Sequence, residues 1–338
     1  MTARAPGKII LSGEHAVVYG RPALVTAVNR FAHADAGTSA RDGLELELLD
    51  YGRSVHFSYA DLASLREELE ARYQRFLEGS LGIRDVLRAP EELLLYAAAL
   101  LAGHASSDLP GTRVQVRSEI PRSCGMGSSA ATVVAVLRSL ASHWNVAHDR
   151  KLLFELAHRA EMLQHGRSSG VDPYISVHGG VFRFRKQEGR PLGIPGTLEF
   201  SLVDTGTPQS STGEVVAHVA SWIGEAPVWL DFESVTLAIE EALLRGDTEG
   251  FRHWVRANQR LLEDIGVVPA TVREFVAEVE RRGGAAKVCG AGTVRGQEAG
   301  VVLTLLEEPL LQEVCEAFDY RWFTVRSEPE GVQLLSET

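Results

Sequence analysis

Residues 121–131 read Pro-Arg-Ser-Cys-Gly-Met-Gly-Ser-Ser-Ala-Ala, and the fold is decided by what stands on either side of them. Upstream, Thr112 to Ile120 alternates through Val114 and Val116, the pattern of a half-buried strand, and Pro121 stops it. Downstream, the run from about Ala130 to Trp144 predicts a helix. A strand that passes through a turn of small residues into a helix leaves free backbone N–H groups at the helix start, where the dipole favours an anion. Gly125 and Gly127 permit positive φ and close backbone approach, and Ser128 and Ser129 add hydroxyls for phosphate or Mg²⁺. No lysine follows the second glycine, so this is not a Walker A loop. A tight turn packed with small residues would be written with the same letters.

Two other segments carry candidate chemistry. Residues 5–24, A-P-G-K-I-I-L-S-G-E-H-A-V-V-Y-G-R-P-A-L, place Lys8, Glu14 and His15 near a short β-type run over 8–11 and its Ser12-Gly13 turn. Taken alone, they read as a surface lysine and a turn glutamate. Residues 161–172, E-M-L-Q-H-G-R-S-S-G-V-D, close a helix expected over 151–165, with Asp149 as its N-cap and Leu152, Leu156, Ala160 and Leu163 as its apolar face. At about 100° per residue Glu161 lies opposite that face, which suits a solvated side chain. Asp172, after a glycine-serine loop and before Pro173, suits a turn, and His165 suits a helix C-terminus.

The rest of the chain alternates strands and helices in both halves. Leu44, Leu46 and Leu48 predict a strand; 61–81 and 90–103 predict helices; 181–184 and 198–203 predict strands. Helices follow over 232–245 and 250–264. Another opens at Pro269 with the stripe Val272, Phe275, Val276 and Val279. A strand (301–306), a helix (311–318) and two strands (322–325, 332–335) end the pattern. The polar, Gly- and Pro-containing residues 185–196 are the best boundary, so the chain is expected to be α+β with domains 1–188 and 189–338.

With 34 Lys and Arg against 45 Asp and Glu, the net charge is −11. That argues against a nucleic-acid or anionic-membrane binder, which needs a basic footprint. Hydrophobic residues at 45% exclude a disordered chain. Cys124, Cys289 and Cys315 are dispersed and odd in number, which suits neither a disulfide framework nor structural zinc and fits a reducing cytoplasm. Apolar runs such as 130–137 fall far short of the roughly 20 residues that span a bilayer.

Together the three segments resemble the GHMP kinase superfamily, and within it the branch that phosphorylates mevalonate. Residues 5–24 are similar to its N-terminal motif through the G-E-H-A-V-V-Y-G core. Residues 121–131 resemble its P-x-x-x-G-L-G-S-S-A phosphate loop with Met126 for leucine, and residues 161–172 resemble its E…H-G-x-x-S-G-x-D stretch. Weaker similarity continues through 204–214 and 258–266. One motif departs from the pattern. Residues 287–296, K-V-C-G-A-G-T-V-R-G, keep Gly290, Ala291 and Gly292 but put Cys289 for threonine or serine, and Thr293, Val294 and Arg295 for glycines.

The resemblance implies a two-domain GHMP kinase-like fold, with an N-terminal mixed α/β domain and a C-terminal ferredoxin-like α/β sandwich. The implied reaction is transfer of the γ-phosphoryl group of Mg-ATP to the C5 hydroxyl of (R)-mevalonate. Asp172 and Lys8 are the implied catalytic pair. Gly125, Met126, Gly127, Ser128, Ser129, Gly290, Ala291 and Gly292 are implied to bind ATP, and Ser129 and Glu161 to hold Mg²⁺. Glu14, His15, Ser169 and Gly170 are implied to bind the acceptor. Arg295 adds a charge near the phosphates or faces solvent. A homodimer is the assembly common to such kinases. A sibling kinase acting on phosphomevalonate or a sugar, or an inactive member that only binds a ligand, is the alternative.

Overall fold

The computed structural model describes the chain except residues 107, 122–123, 167, 224–225 and 336–338; Arg122, Ser123 and Arg167 of the motifs above therefore lie outside the described residues. Strands β1 (Thr2–Ser12), β2 (Ala23–Thr38), β3 (Leu44–Leu48), β4 (Arg53–Phe57) and β5 (Thr112–Ser118) form the body of an eight-stranded sheet. The core run of β1 is far longer than the expected 8–11, because residues from Ala3 onward pair along the 16-residue β2. Among the described residues, only β3 and β5 run parallel.

Helices α1 (Tyr59–Leu77), α2 (Glu92–Ala102), α3 (Ser128–His143), α4 (Arg150–His165) and α5 (Val171–His178) accompany this sheet, with α3 packed on β1 and β2. Helix α2, ELLLYAAALLA, is apolar on every side and is buried from Leu93 to Leu101. It lies among α1, α3 and α4, the setting an all-round apolar helix requires. Helix α5 corrects the expectation of a plain loop down to Asp172: Gly170, at φ 80°, turns the chain so that Asp172 enters the first turn of a helix.

Residues 185–196 are also more ordered than a linker. Strands β6 (Val181–Arg185) and β7 (Glu188–Pro191) pair as a hairpin on the edge of β2. Its two-residue turn is Lys186-Gln187, both at positive φ. Such turns favour Asn or Gly, so the sequence carried no signal for it.

The second sheet is wholly antiparallel, in the order β11 (Arg321–Arg326), β8 (Glu199–Asp204), β10 (Val301–Leu305), β9 (Ala285–Val288). Numbered along the chain this is the 4-1-3-2 order of a ferredoxin-like βαββαβ sheet. Helices α6 (Thr212–Trp222), α7 (Val228–Arg245), α8 (Thr248–Asp264) and α9 (Ala270–Arg281) fill the connection from β8 to β9, and α10 (Glu308–Phe318) joins β10 to β11. The stripe Val272, Phe275, Val276 and Val279 of α9 is fully buried in the second core, as its spacing predicts. Strand β12 (Gln333–Leu334) then crosses back and pairs with β1, so the last strand belongs to the first sheet. Among the described residues no helix is long and apolar enough to cross a membrane.

Candidate active site

Lys8 sits in β1 with its side chain 4% exposed, and its Nζ lies 3.0 Å from Oδ1 of Asp172 in the first turn of α5. The backbone N–H of Lys8 donates to the Met126 carbonyl at 2.9 Å, tying β1 to the turn before α3. Gly127, at φ 70°, caps α3. A Cβ there would stand 3.0 Å from Lys8 Cγ and 3.5 Å from Asp172 Oδ2. The glycine is thus demanded by the ion pair beneath it. Gly125 is demanded by a different neighbour, since a Cβ would lie 2.7 Å from the Cys289 carbonyl oxygen. Ser128 and Ser129 lie in the first turn of α3, half-buried, and that turn itself carries no acidic residue. The N-terminal N–H groups and dipole of α3 therefore face the Lys8–Asp172 pair.

Glu161 is buried, not solvated as its place opposite the apolar stripe suggested, because α4 is covered on that side too. Burial, then the negative charge of Asp172, push its carboxyl up to about 8; Ser168 and Lys8 pull the other way. Ser168 Oγ donates to Glu161 Oε2 at 2.6 Å and accepts from the Gly170 N–H at 3.0 Å, so one hydroxyl links α4 to the start of α5. The tandem Ser168-Ser169 gave no means of telling which serine does this. Ser169 Oγ accepts from the Val171 N–H at 3.4 Å. His165 lines the same cavity, and burial lowers its pKa, which favours the neutral ring.

The donors near this pair suit a hard cation. Glu161 and Asp172 feel each other's charge with the Lys8 ammonium beside them, and carboxylate and hydroxyl oxygens are the donors a hard cation takes. Among the described residues no group of three or more His, Cys, Asp or Glu side chains is placed to hold a metal ion by itself. Oxygen donors of this type are the ones Mg²⁺ takes, together with waters and phosphate oxygens.

A cavity of about 540 Å³ runs from Asp172 past Gly125–Ser129 to an apolar end walled by Leu48, Leu87, Leu93 and Val116. These last residues come from three separate elements and a loop; local periodicity placed Leu48 and Val116 on strands but could not show that the four share a cavity wall. Gly290, Ala291 and Gly292 do not line that cavity. Gly290 packs under Gly125, and the Ala291 carbonyl accepts from His15 Nε2 at 2.9 Å. The Cys289 side chain is 1% exposed and its thiol is pushed up by burial, so it is packing and not a phosphate donor. Arg295 Nη2 donates at 3.0 Å to Glu214, which also pairs with Arg84 from the connection between α1 and α2. Glu14 is buried against Lys287. Sequence reasoning had no means to see that pair, whose members are 273 positions apart.

Residues 92–180, which hold the Gly125–Ser129 turn, Glu161 and Asp172, match the GHMP kinases N terminal domain. A mevalonate kinase of Archaeoglobus fulgidus is 34% identical over 86% of this chain and 89% of its own length. One of Aeropyrum pernix is 32% identical over 98% and 97%. The chain belongs to the mevalonate kinase family. The fold agrees: a mevalonate kinase crystal structure superposes with a TM-score of 0.81 at 22% identity, covering 98% of this chain and 100% of that one. The Methanococcus jannaschii mevalonate kinase gives 0.78 at 23%, covering 97% and 98%.

Proposed function

We propose that the chain is an ATP-dependent mevalonate kinase, transferring the γ-phosphoryl group to the C5 hydroxyl of (R)-mevalonate. The observation that carries this reading is the Lys8–Asp172 pair held under Gly127 at the start of α3. It puts a base and a cation beside an anion seat, and phosphoryl transfer asks mainly for positioning and charge neutralisation. The apolar end of the cavity suits the adenine ring, and the N–H groups of Gly125–Ser129 suit the phosphates. Asp172 orients the C5 hydroxyl and takes its proton; the Lys8 ammonium favours the alkoxide and the charge developing on the phosphoryl oxygens. His15, Ser169 and Gly170 border the acceptor. Ser129 and Glu161 would hold Mg²⁺, which when bound neutralises the phosphate oxygens. Residues 1–188 and 189–338 act as two lobes, with β12 and all of β7 but Glu188 contributed by the later segment to the first sheet. Three free, buried cysteines suit the reducing cytoplasm.

The test is ADP release with Mg-ATP against mevalonate, phosphomevalonate, diphosphomevalonate, galactose and homoserine. Turnover of mevalonate alone is the expected result. Turnover of another alcohol moves the acceptor and keeps the chemistry. Absence of turnover in a folded sample that binds ATP overturns the enzyme reading. Light scattering on the same sample separates a monomer from the homodimer.

A further inference from the structure

Lys287 lies in β9 of the second sheet, far in sequence from any residue of the first, and its side chain is wholly enclosed. Its ammonium donates to two acceptors on the N-terminal segment: the Ile10 carbonyl at 3.0 Å and the Glu14 carboxylate. The Ile10 carbonyl stands at a break in the β1–β2 register between Ile10 and Ser12. An irregularity of this kind turns backbone groups out of the ladder, which leaves that carbonyl for Lys287. Three residues beyond Lys287, at Gly290, the chain packs on Gly125 of the phosphate turn; four beyond, at Ala291, it bonds to His15.

One cation therefore grips the Ile10–Glu14 segment at the base of the strand whose continuation touches both the acceptor-side histidine and the phosphate turn. The grip is continued by a buried polar knot: Ser12 Oγ lies 2.7 Å from Thr236 Oγ1 and donates to Asn258 Oδ1 at 2.6 Å, joining the same segment to α7 and α8. A buried charge is poorly repaid as a source of stability compared with apolar packing. It is well suited to fixing one register between two surfaces.

We propose that Lys287 is a positioning residue that, through Glu14, sets His15 in register with the phosphate turn. Glu14 on this view is the handle of the clamp and does not touch the acceptor. The inference rests on the reading of the acceptor site given above.

The experiment compares two variants of the full chain, E14Q and E14Q/K287M, by kcat and by KM for acceptor and for ATP. Glutamine at 14 keeps an acceptor for the ammonium but not its counter-charge, so E14Q is expected to melt lower than wild type while its folded form keeps kcat/KM for the acceptor within about threefold. The double variant carries no unpaired buried charge, so it is expected to fold, with a melting temperature lowered by the unpaired Ile10 carbonyl and the amide introduced by E14Q. With the register released, its kcat/KM for the acceptor is expected to fall roughly 10- to 100-fold, the scale of a misplacement near 1 Å, while KM for ATP is unchanged.

Equal activity of the two variants overturns the proposal, because Lys287 then only balances charge. E14Q as defective as the double variant overturns it too, because Glu14 then acts on the acceptor directly. If the double variant does not fold, E14Q/K287Q, which keeps an amide donor for Ile10, takes its place in the same comparison. The comparison uses whichever alcohol the wild type turns over, so failure with mevalonate strikes the acceptor reading and not Lys287.

Discussion

At position 127 a single methyl group would press on the Lys8 side chain, 3.0 Å from its Cγ, while only touching the Asp172 carboxylate at 3.5 Å, and at a φ of 70° that side chains rarely adopt. Gly127→Ala should therefore lower kcat by roughly 10- to 100-fold through misplacement; a steady-state assay checks this, with far-UV circular dichroism to confirm folding. Asp172→Asn keeps shape and removes the base, and should lower kcat by about 10²–10⁴-fold; a loss below roughly threefold, small beside that range, would take Asp172 out of the role. Glu161 gives a pH prediction. Its carboxyl lies at about 8 in the folded chain against an ordinary 4.5. The folded state then holds a proton the unfolded state has lost between those values, so the nucleotide-free protein should lose stability as pH rises from about 5 to 8. Glu161→Gln should flatten that slope in a melting series. It should also raise the Mg²⁺ concentration for half-maximal rate on the order of tenfold or more, since even outer-shell changes reach that scale.

Among the elements, α6 has the most explicit start: Ser211 and Glu214 form a reciprocal capping box, and Glu214 also takes Arg84 and Arg295. Ser211→Ala should cost about 1 kcal/mol in urea unfolding. Arg295→Gly removes only a partner on an exposed bridge and should cost less than about 1 kcal/mol. Elements with strong period or caps were legible in the sequence, such as α4 with its Asp149 cap and the α9 stripe. Those that depend on distant partners were not. Helix α5 has eight residues, too few for periodicity to speak, and the β6–β7 turn uses Lys and Gln where glycine was the cue. The site divides the same way. Lys8, Glu161 and Asp172 were legible through motifs, whereas Ser168, the apolar end of the cavity and the partner of Glu14 depend on contacts made only after folding.

In the whole molecule, the chain leaves the second sheet after β11 and passes across the end of α5 before β12 joins β1. A Cβ on Gly331 would lie 2.0 Å from the Val177 carbonyl oxygen, so this returning strap is seated tightly on the helix that carries Asp172. Gly331→Ala should destabilise by about 1–3 kcal/mol, as overpacking does, read as a lower urea midpoint. The same strap has a consequence on the ribosome. Chains emerge N-terminus first, and β1 ends at Ser12 while its outer neighbour begins at Gln333. Throughout synthesis the outer edge of β1 presents unpaired N–H and C=O groups, the template on which nascent chains stick to one another. Residues 3 and 4 of that edge stay uncovered until residues 333–334 have been made and have emerged, so a stall before them leaves this end of the first sheet open to pairing with another chain.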